Sequence, residues 1–492
     1  MEPRVIDSYK NVKIVETIEG TLPKYILIEP DFTPEERRIA DDPRSLLKDF
    51  KRVIKDLEKL HYSEDEKEKY LRDYVKKEIA ENAIPAENVD RLTSLIMDQI
   101  FFKYTVVGDL MRDDNLEEIM INGVNSLIYV VHRKHGMCVT NLKYESLDTL
   151  NEFISWIKSY VNRELSQEKP LLDAHLPDGS RVNVAIPPAA PYGPSVTIRK
   201  FKKVPFNIVE LIEMGTISAE LAAFLWVCVE GFGVKPCDIL IAGGAGSGKT
   251  TLLNALAMFI PKTERVVTVE DTLELNFSFV ENWVPLEAKP SLYERSNELD
   301  MHALLKNSLR MRPDRVIVGE VRGPEAETLL VAMDIGLSGS MGTIHANNAR
   351  ETTIRLMESP MSVPVRMIPL IDMIVVLNRI YDRKKGMFRR ITEVSEISGV
   401  EKQTVQMGEI YHWDMNTDVI ERTEYPILLK EKIAKNCGIN KKRLDTELYI
   451  REKILQYLVA NGIKDNRKVI GYFQRYHVNP KSVIDEIKAT VE

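Results

Sequence analysis

Residues 243–250 read GGAGSGKT, which places glycines, a lysine and a threonine at the spacing of a phosphate-binding loop. An apolar strand (239–242) leads into the segment, and a helix carrying Leu252, Leu256 and Phe259 on one face follows it. Gly243, Gly246 and Gly248 let the backbone curl until successive N–H groups point at phosphate oxygens, and the helix start adds its positive dipole end. Lys249 then supplies a point charge to the β and γ phosphates, and Thr250 a hydroxyl to Mg2+. Gly244, Ala245, Ser247 and Thr251 complete the expected nucleotide-contacting set. A guanine-reading Asn-Lys-x-Asp motif does not follow, so the expected nucleotide is ATP.

Such a loop needs carboxylates from neighbouring strands. The β-branched stretch 265–269 ends in Glu270 and Asp271, with Glu274 beyond. Acids at the C-terminal edge of a strand stand where open α/β sheets bind ligands. A second short apolar stretch, 316–318, ends in Gly319-Glu320. A carboxylate directly after a buried strand can polarise an attacking water, so Glu320 takes that role, with Glu270 as the companion catalytic acid. Thr250, Asp271 and Glu320 are the expected metal ligands. The competing reading for each acid is a solvated loop residue.

Upstream, Val182, Val184 and Ile186 alternate with Arg181 and Asn183, and Val196 and Ile198 alternate with Thr197 and Arg199. Both arginines therefore belong to the polar faces of their strands. They are candidates to stabilise charge on a transferred phosphoryl group, against the plainer reading of surface ion pairs. Arg322 is a third candidate cation. His345 is read as a sensor of the γ phosphate or of a neighbouring subunit. His132 and His135 fall at i and i+3, facing opposite sides of a strand, and no carboxylate or thiol cluster accompanies them, so a metal pair is not expected.

The elements that position these residues differ between the two halves. Helical spacing marks Leu46, Phe50, Val53, Ile54 and Leu57; Ser63 with Glu66 offers a capping box, followed by Leu71, Tyr74 and Val75, then Leu92, Ile96 and Ile100. Residues 1–104 thus read as mainly helical, with one short strand near 24–29. From about 105 the period becomes two: strands at 116–121, 127–132 and 136–142, a helix through Leu147–Val161, and strands at 181–186 and 195–201 around a proline-rich loop. This is an α+β domain over 105–201. A linker is expected over 202–235, then strands alternating with helices over 236–492, the mark of a parallel sheet covered on both faces, with a helical segment at the end.

The 492 residues are 44% hydrophobic and 29% charged, ordinary globular composition with room for two or three domains. A net charge of −7 offers no broad basic field for a nucleic-acid backbone, so no nucleic-acid partner is expected and a translocase is the alternative class. Four dispersed cysteines without a CxxC pair suggest neither a disulfide framework nor a thiolate zinc site. No apolar run reaches the roughly 18 residues of a membrane span, so docking at a membrane from the cytosol is the expectation.

The order GGAGSGKTT, VVTVEDTLEL, RPDRVIVGEVRG and GSMGTIHANNARE resembles the secretion ATPase superfamily of type II and type IV secretion, type IV pili and archaella. There these segments are the Walker A loop, the Asp box, an unusual Walker B strand and the His box. The resemblance extends upstream through LPDGSRVNVAIPP and GPSVTIRKF. The His box usually begins Gly-His, whereas this chain has Gly336-Leu337, leaving His345 of the two histidines. No four-cysteine zinc insertion is present, and IMINGVNSLIYVVHRKHG is similar to the archaeal archaellum and pilus branch. The resemblance implies a C-terminal RecA-like P-loop domain, a PAS-like N-terminal domain that swings Arg181 and Arg199 over the nucleotide, and a homohexamer hydrolysing ATP. It further implies a polytopic membrane platform protein and accessory cytoplasmic motor components as partners, a cytoplasmic, peripheral location on the inner face of the cell membrane, and work done on an archaellum, pilus or secreted substrate.

Overall fold

The computed structural model describes residues 4–16, 22–28, 32–47, 52–53, 55, 57, 64–82, 84–201, 204–289, 299–382 and 386–491. Phe50, Ile54 and Ser63, expected in helical stripes or a cap, lie outside them. The chain divides into two compact units, Met1–Lys203 and Val204–Glu492.

Unit 1 is built on a sheet with nine strands among the described residues: β1 (Val5–Tyr9), β2 (Val12–Val15), β3 (Lys24–Leu27), β4 (Leu116–Asn122), β5 (Leu127–His132), β6 (Gly136–Lys143), β7 (Leu171–His175), β8 (Arg181–Ala185) and β9 (Ser195–Arg199). Their order is β1-β2-β3-β6-β5-β4-β9-β8-β7, antiparallel except where β3 runs parallel to β6. Period-two patterning turns Val182, Val184, Val196 and Ile198 into the core, where the helix Leu147–Tyr160 covers them with Leu150, Phe153, Ile154 and Ile157. Ser146 caps that helix by accepting from the Asp148 N–H. The helices Glu64–Ala80 and Ala86–Met97 close a separate apolar cluster through Leu71, Val75, Ile79, Leu92 and Ile96.

Two features depart from the sequence reading. The first thirty residues contribute three strands rather than one, and these extend the sheet of the following α+β segment. The histidines do not face opposite ways: the chain turns after His132, and the rings of His132 and His135 stand 4.8 Å apart. His135 Nε2 pairs with Asp7 at 2.8 Å, and His132 Nε2 meets the Tyr9 hydroxyl at 3.2 Å, so both histidines fasten β1 to the sheet.

Unit 2 carries β10 (Ile239–Gly243), β11 (Arg265–Glu270), β12 (Asn282–Glu287), β13 (Arg315–Val321), β14 (Met341–Ile344), β15 (Met373–Asp382), β16 (Gly386–Glu401), β17 (Thr404–Asp414) and β18 (Val419–Arg422). The order is β12-β11-β13-β14-β10-β15-β16-β17-β18. Strands β12 to β15 in that order are parallel, and β15 to β18 continue as an antiparallel meander. All five β10 residues are buried, Ile239 and Ile241 in one apolar cluster and Leu240 and Ala242 in another, because helices cover both faces.

Residues 204–235, expected as a linker, fold into unit 2. The helix Ala219–Glu230 is apolar nearly all round and every residue from Leu221 on is buried, which only an interior position satisfies. The final helices pack on it, and Arg451 reaches from Lys441–Ala460 to Glu230 at 2.7 Å while lying 5.0 Å from the Trp226 ring. His477 Nδ1 approaches the second Glu230 oxygen at 2.6 Å.

Candidate functional site

Strand β10 ends at Gly243, where an added Cβ would lie 2.4 Å from both the Leu377 carbonyl and Ser247 Oγ. Only glycine lets the chain leave the sheet there. Gly246 and Gly248 have φ of +66° and +100°, and the helix Lys249–Ala257 starts immediately after. Lys249 is largely buried, and its Nζ donates to the Gly243 and Gly244 carbonyls at 3.0 Å each. Its ammonium is thus held within the curl of the loop. Thr250 Oγ1 donates to Glu274 at 3.1 Å, and Asn254 ties the Thr250 carbonyl to the chain at 274–276. Glu274 was noted in the sequence as an acid beyond Glu270 and Asp271 but given no role, and Asn254 escaped notice, since nothing in their spacing marks a contact across 20 or more positions.

The two catalytic candidates differ in surroundings. Glu270 ends β11 and is buried; its Oε1 accepts from the Glu274 and Leu275 N–H groups at 2.9 Å, and its Oε2 has no partner. Burial pushes the Glu270 carboxyl up to about 7, outweighing those two backbone donors. Glu320, in β13, is partly exposed and accepts from the Arg322 guanidinium, which also lies 3.5 Å from Asp271. Gly319 leaves the space that Glu270 occupies. Thr343 of β14 donates to the Gly319 carbonyl at 2.5 Å and so locks the two strands at this level.

His345 follows β14, is exposed, and joins Val321, Arg322, Glu351 and Arg355 around a cavity of about 470 Å3. Leu337, at the position of the missing histidine, packs against the apolar cluster beside β13 and β14. Arg181 and Arg199 belong to unit 1, where they pair directly across β8 and β9; Arg181 also stands 3.8 Å from Asp173. The sequence-expected loop residues, Glu270, Asp271, Glu320 and His345 are thus gathered at the C-terminal ends of β10, β11, β13 and β14 in unit 2.

The donor set fits a magnesium-bound polyphosphate. A glycine cradle opens onto a helix start, Ser247 Oγ and Glu270 Oε2 are buried without partners, and the Thr250 hydroxyl meets the Glu274 carboxylate at the start of that helix. No group of three or more His, Cys, Asp or Glu side chains that could hold a metal alone occurs among the described residues. Magnesium bound through phosphate oxygens and one or two protein oxygens does not require such a group.

The sequence family described as Type II/IV secretion system protein matches residues 104–404, well over half of the chain, and spans both units. The chain belongs to that family. Uncharacterized protein MJ0781 of Methanocaldococcus jannaschii is 41% identical over 345 residues, 68% of this chain and 45% of that protein. The chain therefore spans less than half of that relative's length. Type IV secretion system protein PtlH of Bordetella pertussis is 32% identical over 317 residues, covering 58% of this chain and 91% of PtlH. The crystal structure of the VirB11 ATPase from the Brucella suis type IV secretion system is 25% identical, with a TM-score of 0.30, over 60% of this chain and 96% of its own.

Proposed function

We propose that this chain is an ATP-hydrolysing motor that works as a homohexamer and powers an archaeal type IV pilus-like filament, the archaellum being the first candidate and a pilus or secretion machine the second. The observation that carries the reading is the β10 loop: left-handed glycines, a buried Lys249 turned into the curl, and a helix start, with Glu270 buried at the end of β11, one carboxyl oxygen held by backbone N–H groups and the other without a partner. Membership in the secretion family supports the assignment of that loop to a motor.

In this reading Gly243 to Thr251 hold the polyphosphate, Lys249 neutralises the β and γ phosphates, and Thr250, Asp271 and Glu320 would hold magnesium. Bound magnesium would screen the charge on the phosphate oxygens. Glu320 orients the attacking water, and Glu270, neutral or ionised near neutral pH, takes or returns its proton. Arg181 and Arg199 stabilise charge developing on the phosphoryl group, and His345 senses its loss. No described helix is long and apolar enough to cross a membrane, which accords with a cytoplasmic position peripheral to the membrane, on a polytopic platform protein with accessory motor components.

Phosphate release from MgATP by the purified chain tests the proposal. Lys249→Ala is expected to abolish it, and Glu320→Gln to retain ATP binding while stopping turnover. Absence of phosphate release by the wild type, with nucleotide binding also absent, would remove the motor reading.

A further inference from the structure

The phosphate loop has a second flank. In the sheet, β13 and β14 lie on one side of β10 and β15 and β16 on the other, so the carboxylates Glu270 and Glu320 approach from one side only. On the opposite side Arg379 of β15 stands directly across from Arg389 of β16. Arg389 Nε donates to the Gly246 carbonyl at 2.9 Å, and its Cδ would lie 3.4 Å from a Cβ placed on Gly248. A Cβ on Gly246 would meet Arg379 Nη1 at 3.1 Å. Both side chains therefore lie over the glycines whose N–H groups curl toward phosphate.

Two like charges opposed on neighbouring strands make this edge of the loop locally positive, which favours an anion there. The next residue shows the contrast. Arg390 points to the other face, is buried, and is fully engaged by Asp418 and the Met214 carbonyl as a structural brace. Arg379 is exposed and Arg389 half-buried, and both lie beside Gly246 at the mouth of the loop.

From this arrangement we infer that Arg379 and Arg389 bind the polyphosphate of the nucleotide from the side away from Glu320, holding its α and β phosphates. The inference rests on the nucleotide reading above and adds two contacts to it. Guanidinium groups suit the task, because they present several donors to phosphate oxygens and remain charged at any working pH. The Arg389 bond to Gly246 also couples the position of β16 to the loop's curl.

The test uses the full chain and titration calorimetry with MgADP and, separately, adenosine. Arg379→Gln and Arg389→Gln are each expected to weaken MgADP binding about tenfold or more, with Arg389→Lys recovering part of the loss. Adenosine binding should be equal in all of them, and the affinity of the variants for MgADP should depend less steeply on salt. In turnover, KM should rise more than kcat falls. Equal MgADP affinity in folded Arg379→Gln and Arg389→Gln would overturn the inference, as would equal losses for adenosine and MgADP. If the wild type binds neither MgADP nor MgATP, the nucleotide reading itself fails; if it binds them and the variants match it, only the arginine pair fails.

Discussion

Arg181 and Arg199 face each other in register across β8 and β9, with Val182 and Ile198 beside them turned into the core. Opposed cations on one sheet face repel by up to roughly 1 kcal/mol, an effect that Asp173, 3.8 Å from Arg181, offsets in part. Replacing Arg181 by Gln should therefore leave the thermal midpoint unchanged or slightly raised. If the pair serves the phosphoryl group, the same variant loses on the order of 10³-fold in turnover. Differential scanning calorimetry with a phosphate-release assay separates the two effects; unchanged turnover would make the pair scaffold only.

The carboxyl of Glu270, held up to about 7 by burial, sets a pH signature. As a proton acceptor it works only when ionised, so turnover should rise with pH through about 7 and level off above it. Glu270→Gln should cut turnover and remove that limb from the kcat profile. A Gln variant that keeps both the rate and the inflection would assign the pH dependence elsewhere.

Gly319 is the space that Glu270 occupies. A methyl group there would stand 2.8 Å from Glu270 Cγ, so the Glu270 side chain must move. Overfilling a packed interior costs about 1–3 kcal/mol, and displacing a reacting group by about 1 Å lowers rates on the order of 100-fold. Gly319→Ala should show both, read by urea unfolding and by kcat. A fully active Gly319→Ala protein would mean that the Glu270 position is not critical.

At the other end of the parallel sheet, Asp238 is buried beside Asp372 and accepts the Ser340 N–H at 2.9 Å. Burial first, then the charge of Asp372, pushes its carboxyl up to about 8. Between its ordinary value near 4 and that level, the folded chain keeps a proton that the unfolded chain gives up. Stability should thus fall as pH rises from about 4 to 8 and flatten above, on the order of a few kcal/mol in all. Asp238→Asn should flatten the slope of unfolding free energy measured between pH 5 and 8, while an unchanged slope would place the responsible group elsewhere.

The glycine turn after β10 was legible because its geometry is local: the positive φ of Gly246 and Gly248 and the helix start at Lys249 fall within eight consecutive positions. The outward faces of Arg181 and Arg199 were legible too, since alternation along a strand decides them. Strands β1 and β2 were not, because each is four or five residues long and mixes polar with apolar side chains, and pairing across the sheet settles them. His132 and His135 misled because the rule for alternation holds only while the strand continues, and this one turns between them. The burial that separates Glu270 from Glu320 comes from β12, β13 and the 274–275 backbone, none of which is adjacent in sequence to residue 270. Arg379 and Arg389 went unremarked for the same reason: their nearness to Gly246 is a product of strand order alone.

Glu230 holds the chain's last helices in place with Arg451 on one oxygen and His477 on the other. Trimming the protein before residue 441 would remove both of these partners and uncover the apolar helix Ala219–Glu230 that the last helices bury. The tail is therefore a keystone of unit 2, and any force felt by those helices is delivered to the same helices that back the glycine loop after β10.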